Sequence, residues 1–340
     1  MILRRRPVAG PVPHAASDER IVDAPVSPPF GRPPREVPEQ VTGTVLILVV
    51  ALAFQLAGVS GPAGVALTVI VAAAVAISWA WLRFMPHPVR TGAGLALVRT
   101  RRAADGSRIR VLSLGGVWQS ATYLDGRRFD PVFAYQRAFD AAFDAEGEMR
   151  DRFGHGLRRV LAIGGGGFAW PKHAVARHPE VEVEVAEIDP AVIGAARRWF
   201  FLDEAEELAE GRLRVRCADG LAVLGETGEP YDAIVSDAFS GAEPVRALAA
   251  LDAVRSAHAR LAPGGVYLAN VVSRDGGRDL GFLRDSVATL TEVFAYVKVV
   301  PVSDEEYGGE DNYLVAASDA DYPLAGAVPF DEGFLGDVIR

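Results

Sequence analysis

Four carboxylates stand at the ends of short apolar runs: Glu187 and Asp189 after one run, Asp219 after the next, Asp237 after a third. Ahead of them, Val160-Leu-Ala-Ile163 leads into Gly164, Gly165, Gly166 and Gly167. Glycines placed between a strand and a helix let the backbone approach a ligand closely, and the helix start offers unpaired amide donors. Glu187 follows Gly166 by 21 residues. That is the spacing at which an acid ending the second strand accepts hydrogen bonds from ribose hydroxyls. Asp189 and Asp219 admit two roles, ligand contact or the N-cap of a following helix. The Asp219-Gly220 pair sits where an acid can accept from the exocyclic amine of an adenine. Asp237 is placed over the reacting end of a bound nucleoside, because ligands of such sheets lie beyond the carboxyl ends of the strands. A carboxylate there orients or deprotonates an acceptor.

These residues need a sheet to position them, and the pattern supplies one. Strands are expected at Arg108–Leu114, Val117–Tyr123, Arg159–Ile163, 181–186, Leu213–Cys217, Tyr231–Ser236, 266–272, 296–300 and 312–316. Helices are expected at 131–143, Ala169–Arg177, 191–200, 221–224, 245–261 and 280–291. Alternation of this kind specifies a mostly parallel sheet covered by helices on both faces, an α/β, Rossmann-like domain. A small β-rich piece, 108–150, precedes the nucleoside-binding catalytic domain, 151–340.

The first hundred residues follow another logic. Residues 1–40 are rich in proline and polar groups and read as a disordered tail. Between 41 and 82 there is no charged side chain. A turn signal at Ser60-Gly61-Pro62 splits this run into halves, each long enough to cross a bilayer core about 30 Å thick. Residues 41–83 are therefore expected as a transmembrane helical hairpin, with Trp79, Trp81 and Arg83 at the interface. Arg32 and Arg35 precede it; Arg83, Arg90, Arg99, Arg101 and Arg102 follow it. Positive-inside then places both ends, and the catalytic domain, on the cytoplasmic side of a plasma or inner membrane. Residues 84–107 read as a basic linker.

Net charge narrows the partners. The chain carries −9 overall, while residues 1–86 hold seven arginines and five acids. The acidic remainder argues against nucleic acid, which requires clustered Lys and Arg. Cys217 is the only cysteine, so no internal disulfide forms. The six histidines lack metal-ligand spacing, and no metal is expected.

From about 108 to 317 the chain resembles the spermidine synthase (polyamine aminopropyltransferase) family. The resemblance rests on Gly116-Val-Trp-Gln119-Ser-Ala, Phe133-Ala-Tyr135-Gln136-Arg137, the glycine run, Glu187-Ile-Asp189, Ala218-Asp219-Gly220, Tyr231-Asp-Ala-Ile-Val-Ser-Asp237 and Leu261-Ala-Pro-Gly-Gly265. It implies a Rossmann-like class I methyltransferase-type fold, with Glu187 on the ribose, Asp219 near the adenine, Asp237 as the amine-activating carboxylate, and Gln119 and Tyr135 lining the acceptor side. The donor it implies is S-adenosylmethionine or its decarboxylated form. The acceptor is a small molecule, an amine by analogy, and family members are often homodimers. Three positions depart from the family pattern. Gly167 replaces an acid that faces the amine of the decarboxylated donor, Ser240 replaces a second aspartate of the catalytic loop, and Arg137 replaces an acid. These changes argue against classical putrescine aminopropylation and for the intact donor. A methyltransferase on the same scaffold, or a non-catalytic nucleoside-binding scaffold, are the competing expectations.

Overall fold

The computed structural model describes Gly58 and residues 61–84, 86–103, 105–240, 243–273, 279–302 and 312–340. The expected tail, the first half of the hairpin and the loop around Tyr307 lie outside these residues.

The described chain begins with helix α1, Pro62–Phe84. Its exposed side chains include Val65, Val69, Ile70 and Ile77, each at least 60% accessible. Among the described residues, no helix is long and apolar enough to cross a membrane.

Residues 84–107, expected as a linker, instead carry two strands. β1 (His87–Thr91) and β2 (Gly94–Arg102) form an antiparallel hairpin, joined by β3 (Arg108–Leu114) and β4 (Val117–Tyr123) into a four-stranded sheet in the order β1-β2-β3-β4. Arginines obscured these strands. Read alternately, Ala96 and Val98 are buried while Leu95 and Arg101, on the other face, are exposed, which is the period-2 signature of a half-buried strand. The β-rich piece thus starts some twenty residues earlier than expected. The helix expected over 131–143 is broken into α2 (Ala134–Ala138) and α3 (Ala141–Asp144), followed by α4 (Glu146–Phe153).

The larger layer is a seven-stranded sheet. Its strands are β5 (Arg159–Ile163), β6 (Glu182–Glu187), β7 (Leu213–Cys217), β8 (Tyr231–Ser236), β11 (Leu261–Val272), β12 (Tyr296–Val302) and β13 (Asn312–Ser318). They lie in the order β12-β13-β11-β8-β5-β6-β7, with β13 antiparallel to both neighbours. The short pair β9 (Phe239–Ser240) and β10 (Glu243–Pro244) follows β8. Helices α5 (Ala169–Arg177), α6 (Pro190–Trp199), α7 (Leu202–Ala209), α8 (Gly220–Leu224), α9 (Arg246–Ala249), α10 (Leu251–Arg260) and α11 (Gly281–Thr291) link the strands. One apolar cluster, around Val160, Val183, Phe168 and Phe200, fills one face of the sheet; another, around Leu161, Ile234, Tyr267 and Val287, fills the opposite face. β8 is buried along its whole length, as a central parallel strand must be. Chain order reverses between β5 and β8, which are direct neighbours. The crevice over such a switch point is where open α/β sheets bind ligands.

Candidate active site

A cavity of about 540 Å³ opens at that switch point. Gly164, Gly165 and Gly166 form its floor after β5; Glu187 and Asp189 line it from the end of β6, Asp219 and Gly220 from the end of β7, and Asp237 from the end of β8. Gln119, Ser120, Tyr135 and Gln136 close the opposite side. The structure therefore brings together all the residues expected from the sequence except Ser240. Its backbone lies in β9, and its side chain is outside the described set.

Each carboxylate is held differently. Glu187 is buried, and its Oε2 accepts from the Gly165 and Gly166 amides at 2.8 and 3.3 Å while Oε1 accepts from the Asp189 amide at 2.9 Å. The acid thereby shapes the glycine loop. Asp189 caps α6, its Oδ1 accepting from the Ala191 amide at 2.8 Å. Its second oxygen accepts from the Gly92 amide at 2.6 Å, so the tip of the β1–β2 hairpin is fastened to the pocket rim. Thr91, Gly92 and Ala93 line the cavity as a result. Asp219 caps α8 through the Leu221 amide at 2.9 Å. The two readings of Asp189 and Asp219 are thus compatible: both cap a helix and both face the cavity.

Among the described residues, no backbone amide donates to the Asp237 carboxylate. Asn270 Nδ2, near the C-terminal end of β11, donates to Oδ1 at 3.0 Å. Desolvation pushes this carboxyl up to about 6, against the pull of the Asn270 hydrogen bond. Its backbone presses on the glycine loop, and a Cβ built at Gly164 would lie 2.3 Å from the Asp237 carbonyl oxygen.

Gly167 is equally confined. A Cβ there would lie 2.6 Å from Ser120 Oγ and 3.0 Å from the Phe200 ring. Ser120 is 1% exposed, and among the described residues its hydroxyl has no hydrogen-bond partner. A buried hydroxyl left in this state is costly unless something completes it. Arg137, by contrast, is turned away from the cavity and donates to the Pro131 and Val132 carbonyls at 3.1 and 2.7 Å. The substitution at that position leaves no positive charge in the pocket.

The strand of chain that carries Tyr135 and Gln136 is clamped from behind. Trp170 Nε1 donates to Asp140 at 2.9 Å, Arg177 pairs with Asp130 at 2.8 Å, and His173 lies between Asp130 and Asp140. Burial opposes a charged ring, but the two carboxylates overcome it and hold His173 up to about 9. His173, which helical position alone places on the surface, is in fact largely enclosed by this clamp. Trp118 lies on the outer face of the small sheet and does not line the main cavity.

Sequence reasoning missed Asn270, Ser120, Gln136 and the hairpin tip. Asn270 carried a legible signal, a lone amide in an otherwise apolar strand. Thr91-Gly92-Ala93-Gly94 carried another, a glycine-rich turn between two β-patterned runs. Among the described residues, no cluster suited to a metal ion occurs.

Residues 149–302 match the sequence model of the spermine/spermidine synthase domain. A polyamine aminopropyltransferase from Nitrosomonas europaea is 28% identical over 176 residues, half of this chain and 52% of that protein. A human eEF1A lysine and N-terminal methyltransferase is 30% identical over 159 residues, 43% of this chain and 21% of that protein. The chain spans about half the length of the polyamine aminopropyltransferase it matches. In fold it is similar to a probable spermidine synthase from Corynebacterium glutamicum, with a TM-score of 0.56 and 22% identity over 70% of this chain and 81% of that one. In sequence and in fold, the chain is spermidine synthase-like.

Proposed function

We propose that this protein transfers an alkyl group from S-adenosylmethionine to an amine acceptor, with Asp237 taking the acceptor's proton. The observation that carries this reading is the lining of the cavity. It presents four carboxylates and, among the described residues, no Lys, Arg or His. Such a field favours a cationic ligand, and a sulfonium nucleoside is one. The volume is within the usual range for a small-molecule site.

In the transfer, the acceptor nitrogen attacks a carbon bonded to the sulfonium. The C–S bond breaks with its electrons going to sulfur, which leaves as a neutral thioether. The proton released from nitrogen passes to Asp237, which its position near 6 leaves ionised and basic at neutral pH. Gly167 supports the intact donor. The acid expected there in the family would have to displace Ser120 and Phe200. Without it, the α5 start and the unpartnered Ser120 hydroxyl offer donors to a carboxylate. The similarity to both an aminopropyltransferase and a methyltransferase supports the reaction class without choosing the group moved.

Calorimetric titration of the full chain with S-adenosylmethionine and with its decarboxylated form tests this. Preference for the intact donor is expected. Preference for the decarboxylated form would restore aminopropyl transfer, and binding of neither would leave a scaffold.

We further infer that the chain is held at a membrane with its site on the cytoplasmic side. The uncharged run from 41 to 82 and the exposed Val65, Val69, Ile70 and Ile77 of α1 support this. Resistance to extraction by alkaline carbonate is the expected result; release into the supernatant would exclude it.

A further inference from the structure

We propose that the outer face of the four-stranded sheet is a docking surface for an anionic phospholipid bilayer. The inference rests on the membrane reading above and assigns a second, separate contact.

The strands of this sheet contain six arginines (Arg90, Arg99, Arg101, Arg102, Arg108 and Arg110) and no acidic residue, in a chain whose net charge is −9. Register sorts them by face. Arg90 lies opposite Leu95, Leu97 opposite Ser113, and Ser113 opposite Trp118, with Arg99 and Arg101 further along the same side of β2. Arg110 belongs to the other side and donates to the Trp199 carbonyl. On the outer side, Leu95, Leu97, Arg99, Arg101, Ser113 and Trp118 border a shallow groove of about 110 Å³. Leu95 is 56% exposed and Trp118 36%.

Charge on this face is not used internally. Among the described residues, no carboxylate pairs with Arg90, Arg99 or Arg101, and Arg99 Nε is buried with no hydrogen-bond acceptor. Arginines of the larger domain behave otherwise. Arg159, Arg177, Arg197 and Arg216 each meet a carboxylate. Unpaired guanidinium groups beside the exposed Trp118 and Leu95 match the chemistry of the lipid interface, where phosphates take the charge and aromatic rings sit at headgroup level. Chain continuity selects a bilayer over a soluble polyanion. β1 starts at His87, three residues after the apolar α1 ends at Phe84. Basic side chains so close to an apolar anchor read as anionic-lipid contacts.

The test uses the full chain with Leu95→Cys in a Cys217→Ser background, labelled with an environment-sensitive fluorophore. Vesicles are phosphatidylcholine alone or mixed equally with phosphatidylglycerol. Emission is expected to rise several-fold and shift to the blue only on the anionic vesicles. Arg99→Glu with Arg101→Glu is expected to abolish the change while the protein still floats with vesicles. A label at Glu229→Cys, on the exposed surface of the larger domain, is expected to stay unchanged. Equal emission on both vesicle types, or a response insensitive to the arginine reversals, overturns the proposal. Flotation with neither composition removes the tether and the docking surface together. Flotation with anionic vesicles alone, lost on arginine reversal, keeps the docking surface and removes the tether.

Discussion

The two flanks of the cavity treat their carboxylates in opposite ways. On the β6–β7 flank, Glu187, Asp189 and Asp219 all accept from backbone amides. On the β8 flank, Asp237 accepts from a side-chain amide and is desolvated enough to rise to about 6. A carboxylate satisfied by the main chain is tied to the shape of the loop it serves, so it can hold a ligand but is poorly suited to giving and taking protons. A carboxylate strained by burial is poised for that exchange. In the proposed transfer, this contrast separates binding from chemistry within a single pocket.

The largest effect is expected on the chemical flank. Asp237→Asn should lower donor turnover by roughly 10²- to 10⁴-fold, with donor affinity from calorimetry nearly unchanged. An equal loss of affinity would merge the two flanks. The same group fixes a pH signature. Its folded carboxyl titrates above the unfolded one, so its contribution to stability is present below about 4 and lost as pH rises through about 6. Activity should rise across that interval while stability falls, and Asp237→Asn should flatten both profiles.

Next comes the binding flank. Glu187→Ala strips three backbone amides of their acceptor and should cost about 2–3 kcal/mol in chemical denaturation, together with a marked loss of donor affinity. Gly167→Ala is expected to cost about 1–3 kcal/mol, because its methyl group overlaps Ser120 and Phe200. Combining it with Ser120→Ala should recover part of that loss; strict additivity would show that the Ser120 contact is not the cause. The smallest effect is expected at Asp219, where Asp219→Asn keeps a capping oxygen and should change stability by only a few tenths of a kcal/mol. Any large fall in donor affinity at that position would assign it a ligand contact beyond its cap.

Much of this flank was legible in the sequence, because strand, glycine run and acid follow one another at fixed local spacing. Glu187, Asp219 and Asp237 fall at strand ends, and period and punctuation place strand ends well. The mostly parallel sheet was likewise implied by alternation, though its strand order was not. Long-range partners were not legible. Asn270 reaches Asp237 across 33 residues, and Gly92 reaches Asp189 across 97. No local pattern encodes such distances. The strands at 87–102 were hidden for a different reason: a half-buried strand shows only every second residue to the core, and here the other residues included a run of arginines that resembled a linker. The enclosure of His173 was not legible either, because helical position says nothing about a neighbouring segment carrying Asp130 and Asp140.

At Gly164 a hydrogen atom serves as a spacer. The glycine loop and the Asp237 backbone touch so closely that a carbon in its place would overlap a carbonyl oxygen by about 1 Å. A side chain there would drive the glycine floor of the cavity away from the strand end that carries Asp237. Displacements of that size, far smaller than a bond rotation, can reduce an aligned reaction about a hundredfold. In the proposed transfer, the spacing between the glycine loop and Asp237 is thus set by one missing methyl group, and the tolerance of that reaction rests on the smallest residue of the chain.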